Sequence, residues 1–134
     1  MYERNLPFSM EAEQAVLGSI LIDPSCLDTI SLTKDDFYLP EHASIYITMQ
    51  LMYIKSRAID VVTLVDELIK TGEYTESGGR EYLAVLANAV PVASNAEDYA
   101  KIVKDKSVLR RIITSAELIQ ESAYSGESAD TVAE

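Results

Sequence analysis

From Ser9 to Tyr124 nearly every stretch of the chain repeats its apolar residues at three- and four-residue intervals. That spacing lines one face of a helix, whereas a half-buried strand would alternate every second residue. Only Ala58–Val65 is dense in β-branched residues, and there Asp60 followed by Leu64 and Leu68 favours a helix. The punctuation agrees with this reading. Ser9 is placed to cap Met10–Ile22. Asp23-Pro24 starts a short helix to about Ile30, with proline at the first helical position. Thr33 caps a turn through Lys34–Tyr38, and Pro40 opens a helix to about Ser56 with the stripe His42, Ile45, Tyr46, Met49, Met52 and Tyr53. Asp60 caps a helix from Val61 to about Thr71, and Gly72 stops it. After a loop over 73–78, a helix from Arg80 to Ala89 turns Tyr82, Leu83 and Leu86 inward until Pro91 ends it. Asn95 caps the last run, Ala96–Tyr124.

That last helix changes character along its length. Ile102, Leu109, Ile112, Ala116, Ile119 and Ala123 follow a seven-residue pattern, broken at Asp105, so the seam begins near Leu109. Such a seam lets one helix pack lengthwise along another. Val108, Leu109, Ile112, Ala116 and Ile119 are therefore assigned to hairpin or dimer packing. Ser125-Gly126 breaks the helix, and Ser128 caps the start of another running to Glu134. About one turn is too short to be stable alone, so the second hairpin helix reads as truncated. The expected fold is all-α, with a compact multi-helix head over 1–102 and an incomplete hairpin arm over 103–134.

Hydrophobic residues make up 48% and charged residues 25%, the balance of one folded soluble domain. No apolar run approaches the roughly 20 residues of a membrane span, and Met1–Phe8 lacks an apolar signal core, so a cytoplasmic location without membrane contact is expected. Net charge is −11, which repels a phosphate backbone. The cluster Lys101, Lys104, Lys106, Arg110 and Arg111 reads as the solvated side of a helix, with Arg110 and Arg111 available for salt bridges to an acidic partner. Cys26 is the only cysteine and reads as a small hydrophobe. His42, the only histidine, falls on an apolar stripe and reads as a core or helix-end residue rather than a general base. Asp35-Asp36 and Asp66-Glu67 read as solvated or capping carboxylates, because helix neighbours point apart. Gly78-Gly79 lacks the Lys and Ser/Thr of a phosphate loop. No catalytic, cofactor or metal site is expected. What remains is surface: an arm helix whose apolar side is covered either by a partner or by its own second hairpin helix.

Several segments together resemble one family. Ser9–Ser19 contains Glu-Ala-Glu-Gln-Ala-Val-Leu-Gly, similar to the opening of DnaB-family replicative DNA helicases. Asp36-Phe37-Tyr38 with His42, Ile45 and Tyr46 resembles their "DFYxxxHxxIY" segment. Asp60–Thr63 resembles "DxVT", and Gly78–Leu83 resembles "GGxxYL". Ala87–Pro91, Asn95, Tyr99–Val103 and Lys106–Arg111 follow in order. One departure is a short stretch from Cys26 to Asp36. The resemblance implies the N-terminal domain of a bacterial helicase, a head and hairpin whose arms pair within a hexameric ring and where primase docks. It implies that ATP, magnesium and most DNA contacts belong to a C-terminal RecA-like domain absent from this chain. For primase contact it points to Glu11 and Tyr82 on the head, Tyr82 being equally readable as ordinary core, and the expected exposure of Ile113 and Ile119 at helical spacing adds these two on the arm. The competing expectation is a small helical nucleic-acid-binding regulator, disfavoured because no helix is strongly basic. A standalone enzyme is disfavoured by the missing catalytic constellation.

Overall fold

A computed structural model describes residues 6–74, 79–126 and 128–129. Among the described residues five α-helices carry the fold: α1 (Met10–Ile22), α2 (Pro40–Ile54), α3 (Val61–Lys70), α4 (Gly79–Ala87) and α5 (Ala96–Tyr124). Two 3-10 turns, Pro24–Asp28 and Lys34–Asp36, link α1 to α2. There is no strand among the described residues, so the fold is all-helical as expected. No described helix is long and apolar enough to cross a membrane.

Most helix starts are capped as their residues dictate. Ser9 Oγ accepts from the Ala12 amide at 3.1 Å, and Asp23 Oδ1 accepts from the Ser25 amide at 3.1 Å. Asp60 and Thr63 close a reciprocal capping box at α3, at 2.8 and 3.0 Å. Asn95 departs from expectation: it stands at the start of α5, but its side chain makes no capping bond. Its ψ of 15° replaces the extended backbone from which a cap side chain reaches back, and Glu97 and Asp98 supply negative charge to that first turn instead. α4 ends at Ala87 rather than Ala89, where Asn88 Nδ2 donates to the Ala84 carbonyl at 2.9 Å. Gly72 ends α3 with φ of 81°.

α1 lies at the centre, packed against α2, α4 and α5. Its Leu17 and Ile20 meet Ile45, Tyr46 and Met49 of α2, Leu64 and Leu68 of α3, and Leu83 and Leu86 of α4 in one core, all fully buried. Each such side chain contributes roughly 1.5–3 kcal/mol by leaving water. Cys26 is buried beside this core, its thiol against the Ser19 carbonyl, and burial pushes that thiol up from its ordinary value.

α5 runs unbroken through the expected head–arm boundary at 102/103. It buries Ala96, Ala100, Val103, Ser107 and Arg110 against the head, and from Arg111 to Glu121 every residue is exposed. The helix expected from Ser128 onward lies mostly outside the described residues, and residues 1–5 and 75–78, where the end of the loop was expected, lie wholly outside them.

Candidate protein-docking surface

One buried polar network joins α1, α2 and α4. Glu13, 1% exposed, sits on α1 between Ala12 and Val16. Its Oε1 lies 2.8 Å from His42 Nδ1, and its Oε2 accepts from the Tyr38 amide at 2.8 Å. His42, fully buried, meets the Tyr82 hydroxyl through Nε2. Gln14 Nε2 donates to the same hydroxyl at 3.2 Å. The partners assign the tautomer: Nδ1–H donates to the carboxylate, Nε2 accepts from the tyrosine, and the tyrosine oxygen accepts from Gln14. The chain of bonds is buried at Glu13 and His42, reaches the surface at Gln14 and Tyr82, and ties three helices together. Sequence reasoning placed His42 correctly and missed Glu13. The available signal was a carboxylate spaced with Val16 and Leu17 on an apolar face.

A second cluster sits where α5 leaves the head. Asp36, expected to be a solvated or capping carboxylate, does cap, with Oδ2 accepting from the Thr33 amide at 2.8 Å. It is also buried, at 3% exposure, and its Oδ1 accepts from Ser107 Oγ at 2.7 Å and Lys104 Nζ at 3.3 Å. Arg111 approaches the same oxygen at 3.9 Å. The basic cluster is therefore not simply a solvated face: Lys104 and Arg111 converge on Asp36, and Lys101 pairs with Asp105 along the helix at 3.0 Å. Arg110 is buried, donating to the backbone carbonyls of Pro7 at 2.9 Å and Asp36 at 2.7 Å, with its guanidinium over the Tyr38 ring.

Burial alone would raise the Asp36 carboxyl. The Thr33 amide, the Ser107 hydroxyl and Lys104 outweigh it and hold the group below its ordinary 3.8. A depressed folded-state pKa gives stability that is present above the unfolded value and lost as pH falls through the folded one. Asp36→Asn is therefore expected to melt below wild type at pH 7. The gap between the two should persist to about pH 4 and close at lower pH, as Asp36 protonates. A constant gap down to pH 2 in parallel thermal melts would contradict that role.

Two grooves flank these clusters. A groove of about 780 Å³ lies among α1, α4 and α5, lined by Glu11, Gln14, Val85, Asn88, Tyr99 and Ile102 among others. Val85 and Ile102 are half-exposed there. Glu11 thus lies in this groove, and half-buried Tyr82 stands behind it, bonded to the groove residue Gln14. The other groove follows the arm and is lined by Val108, Arg111, Ile112, Ser115, Ala116 and Ile119. Leu109 and Ile113 lie outside it, also exposed. Ile113 and Ile119 are six positions apart, so on a helix they point about 120° apart and do not form one patch. Among the described residues no group of three or more metal-ligating side chains comes together.

Comparisons with known proteins point one way. A family profile described as "DnaB-like helicase N terminal domain" matches residues 5–105. The chain is 45% identical over 127 residues to the replicative DNA helicase DnaC of Bacillus subtilis, an alignment covering 93% of this chain and 28% of that protein. It is 44% identical over 127 residues to the replicative DNA helicase DnaB of Geobacillus stearothermophilus, with the same coverage of 93% and 28%. The chain therefore spans little more than a quarter of the length of these relatives. Among solved structures it superposes on the N-terminal domain of the DnaB helicase from Mycobacterium tuberculosis with a TM-score of 0.91 at 32% identity, covering 96% of this chain and 93% of that one. It also matches a DnaB-like replicative helicase whose structure was described together with its interactions with primase, with a TM-score of 0.73 at 32% identity, covering 87% of this chain and 28% of that one.

Proposed function

The chain belongs to the family of DnaB-like helicase N-terminal domains, and from that premise we propose that it is the assembly and primase-docking part of a hexameric replicative helicase. ATP- and magnesium-driven unwinding is then the work of a separate RecA-like domain. The observation that carries this reading is the end of burial at Arg110. Beyond it α5 continues as a helix whose Ile112, Ile113, Leu118 and Ile119 are all exposed. Apolar residues on a projecting helix are stabilised only when something covers them. An arm of this kind suits pairing with the arm of a second subunit, through Val108, Leu109, Ile112, Ala116 and Ile119. The head groove with Glu11, its neighbour Tyr82, and the arm positions Ile113 and Ile119, which lie on separate faces of the helix, are the positions we assign to primase docking. The acidic surface suits a protein partner and not a phosphate backbone, which leaves DNA to the other domain.

The test separates the two arm faces. Ile113→Asp and Ile119→Asp are made singly and titrated calorimetrically with the helicase-binding domain of the cognate primase. A charge placed at the centre of a contact costs about 2 kcal/mol or more, roughly 30-fold in affinity. Unchanged affinity in both variants, with wild-type circular dichroism, removes the primase assignment.

A further inference from the structure

We propose that Arg110 is the positioning residue of the arm, the clamp that fixes the direction in which α5 leaves the head. Its purpose rests on the assembly role above, but its geometry does not. Arg110 is the last buried residue of α5 among those described. One guanidinium nitrogen donates to the Pro7 carbonyl at 2.9 Å and the other to the Asp36 carbonyl at 2.7 Å. The guanidinium carbon lies 5.4 Å from the centroid of the Tyr38 ring. The side chain thus grips the segment before α1 and the turn before α2 at once. Its anchors are themselves held: Tyr38 stacks on Phe8 at 4.4 Å, and its amide is bonded to buried Glu13.

The choice of residue is informative. A buried arginine is normally matched by a carboxylate. Here the nearby Asp36 carboxylate is taken by Thr33, Ser107 and Lys104, and Arg110 receives two neutral carbonyls. An apolar side chain could fill the same space without losing its hydration. What only the planar fork provides is two directed bonds to fixed backbone points. The position also has leverage. From residue 110 to residue 124 the arm extends about 21 Å, so a tilt of about 10° at the clamp moves the tip by roughly 4 Å. Helix shifts of about 1–2 Å already alter subunit interfaces.

The test measures arm direction in solution. Spin labels are placed at exposed Ile54→Cys and Glu121→Cys in a Cys26→Ala background, and the labelled chain is diluted with unlabelled chain so that only intramolecular distances count. A narrow distance distribution is expected for the parent. Arg110→Met and Arg110→Lys should both broaden it by several ångströms, and Phe8→Ala should do so from the other side of the clamp. Lysine keeps the charge but cannot reach both carbonyls, so a parent-like distribution in Arg110→Lys would overturn the proposal. An unchanged distribution in folded Arg110→Met would do the same. If methionine prevents folding, the lysine and Phe8 variants still decide the matter. Primase titration of the Ile113 and Ile119 variants reports on the docking role independently, so failure of one reading is distinguishable from failure of the other.

Discussion

Glu13→Ala is expected to lower the thermal midpoint by roughly 10–15 °C, the effect of losing about 3–5 kcal/mol from a chain of this size. Both carboxylate oxygens are engaged, one by His42 Nδ1 and one by the Tyr38 amide, each at 2.8 Å. Alanine leaves two donors without an acceptor where Glu13 is 1% and His42 0% exposed, and water cannot readily replace what was lost. A void remains between α1 and α2 as well. Glu13→Gln separates these contributions. Its amide oxygen can still accept from His42, but its NH2 then faces the Tyr38 N–H, donor against donor, so an intermediate loss is expected. Thermal melts by circular dichroism decide the matter. A midpoint within two or three degrees of wild type for the alanine variant would mean that the network adds little to holding α1, α2 and α4 together.

The same network shows what sequence could and could not reveal. Helix faces were legible because the core residues recur at helical spacing, and α5 was placed from Ala96 to Tyr124 on that basis. His42 was legible as a core residue because it shares a stripe with Ile45, Tyr46 and Met49. Glu13 was not, because a carboxylate gains a reason to be buried only once its partner is known, and His42 lies 29 positions away. Asp35 and Asp36 are adjacent and look alike, yet one is exposed and the other buried. The Thr33 capping bond turns Asp36 toward α5, and only the packing of α5 supplies Ser107 and Lys104. Arg110 could not be told from its basic neighbours, since its acceptors are backbone carbonyls and leave no mark in the sequence. The head positions Glu11 and Tyr82 came from the family resemblance rather than from any pattern. The structure gives that resemblance physical content. Glu13 and Gln14 of the first motif, Tyr38 and His42 of the second and Tyr82 of the "GGxxYL" segment are the residues that close the buried network.

Gly18, in the first of those motifs, supports the other large prediction. A Cβ built there would lie 2.4 Å from the Leu86 carbonyl oxygen and 3.3 Å from the Ala89 Cβ. The first of these is backbone, so no rotamer change relieves it, and α4 must move away from α1. Gly18→Val is expected to cost at least about 3 kcal/mol, because overpacking is not offset by any strong gain in helix propensity. Gly18→Ala is the more discriminating variant. Alanine favours the helix by about 1 kcal/mol over glycine, so two opposed effects meet at one atom. Where the seam is rigid, the clash wins and chemical denaturation shows a net loss. The groove lined by Ala12, Ala15, Ala84 and Ala89 should deform with it, weakening any partner seated there. Gly72 is the control of opposite kind: a Cβ there meets nothing within 4 Å, but φ is +81°, so Gly72→Ala tests backbone conformation without crowding. A Gly18→Ala protein more stable than wild type would show that α4 yields at little cost. In that case the α1–α4 seam could not serve as a rigid wall for the groove among α1, α4 and α5.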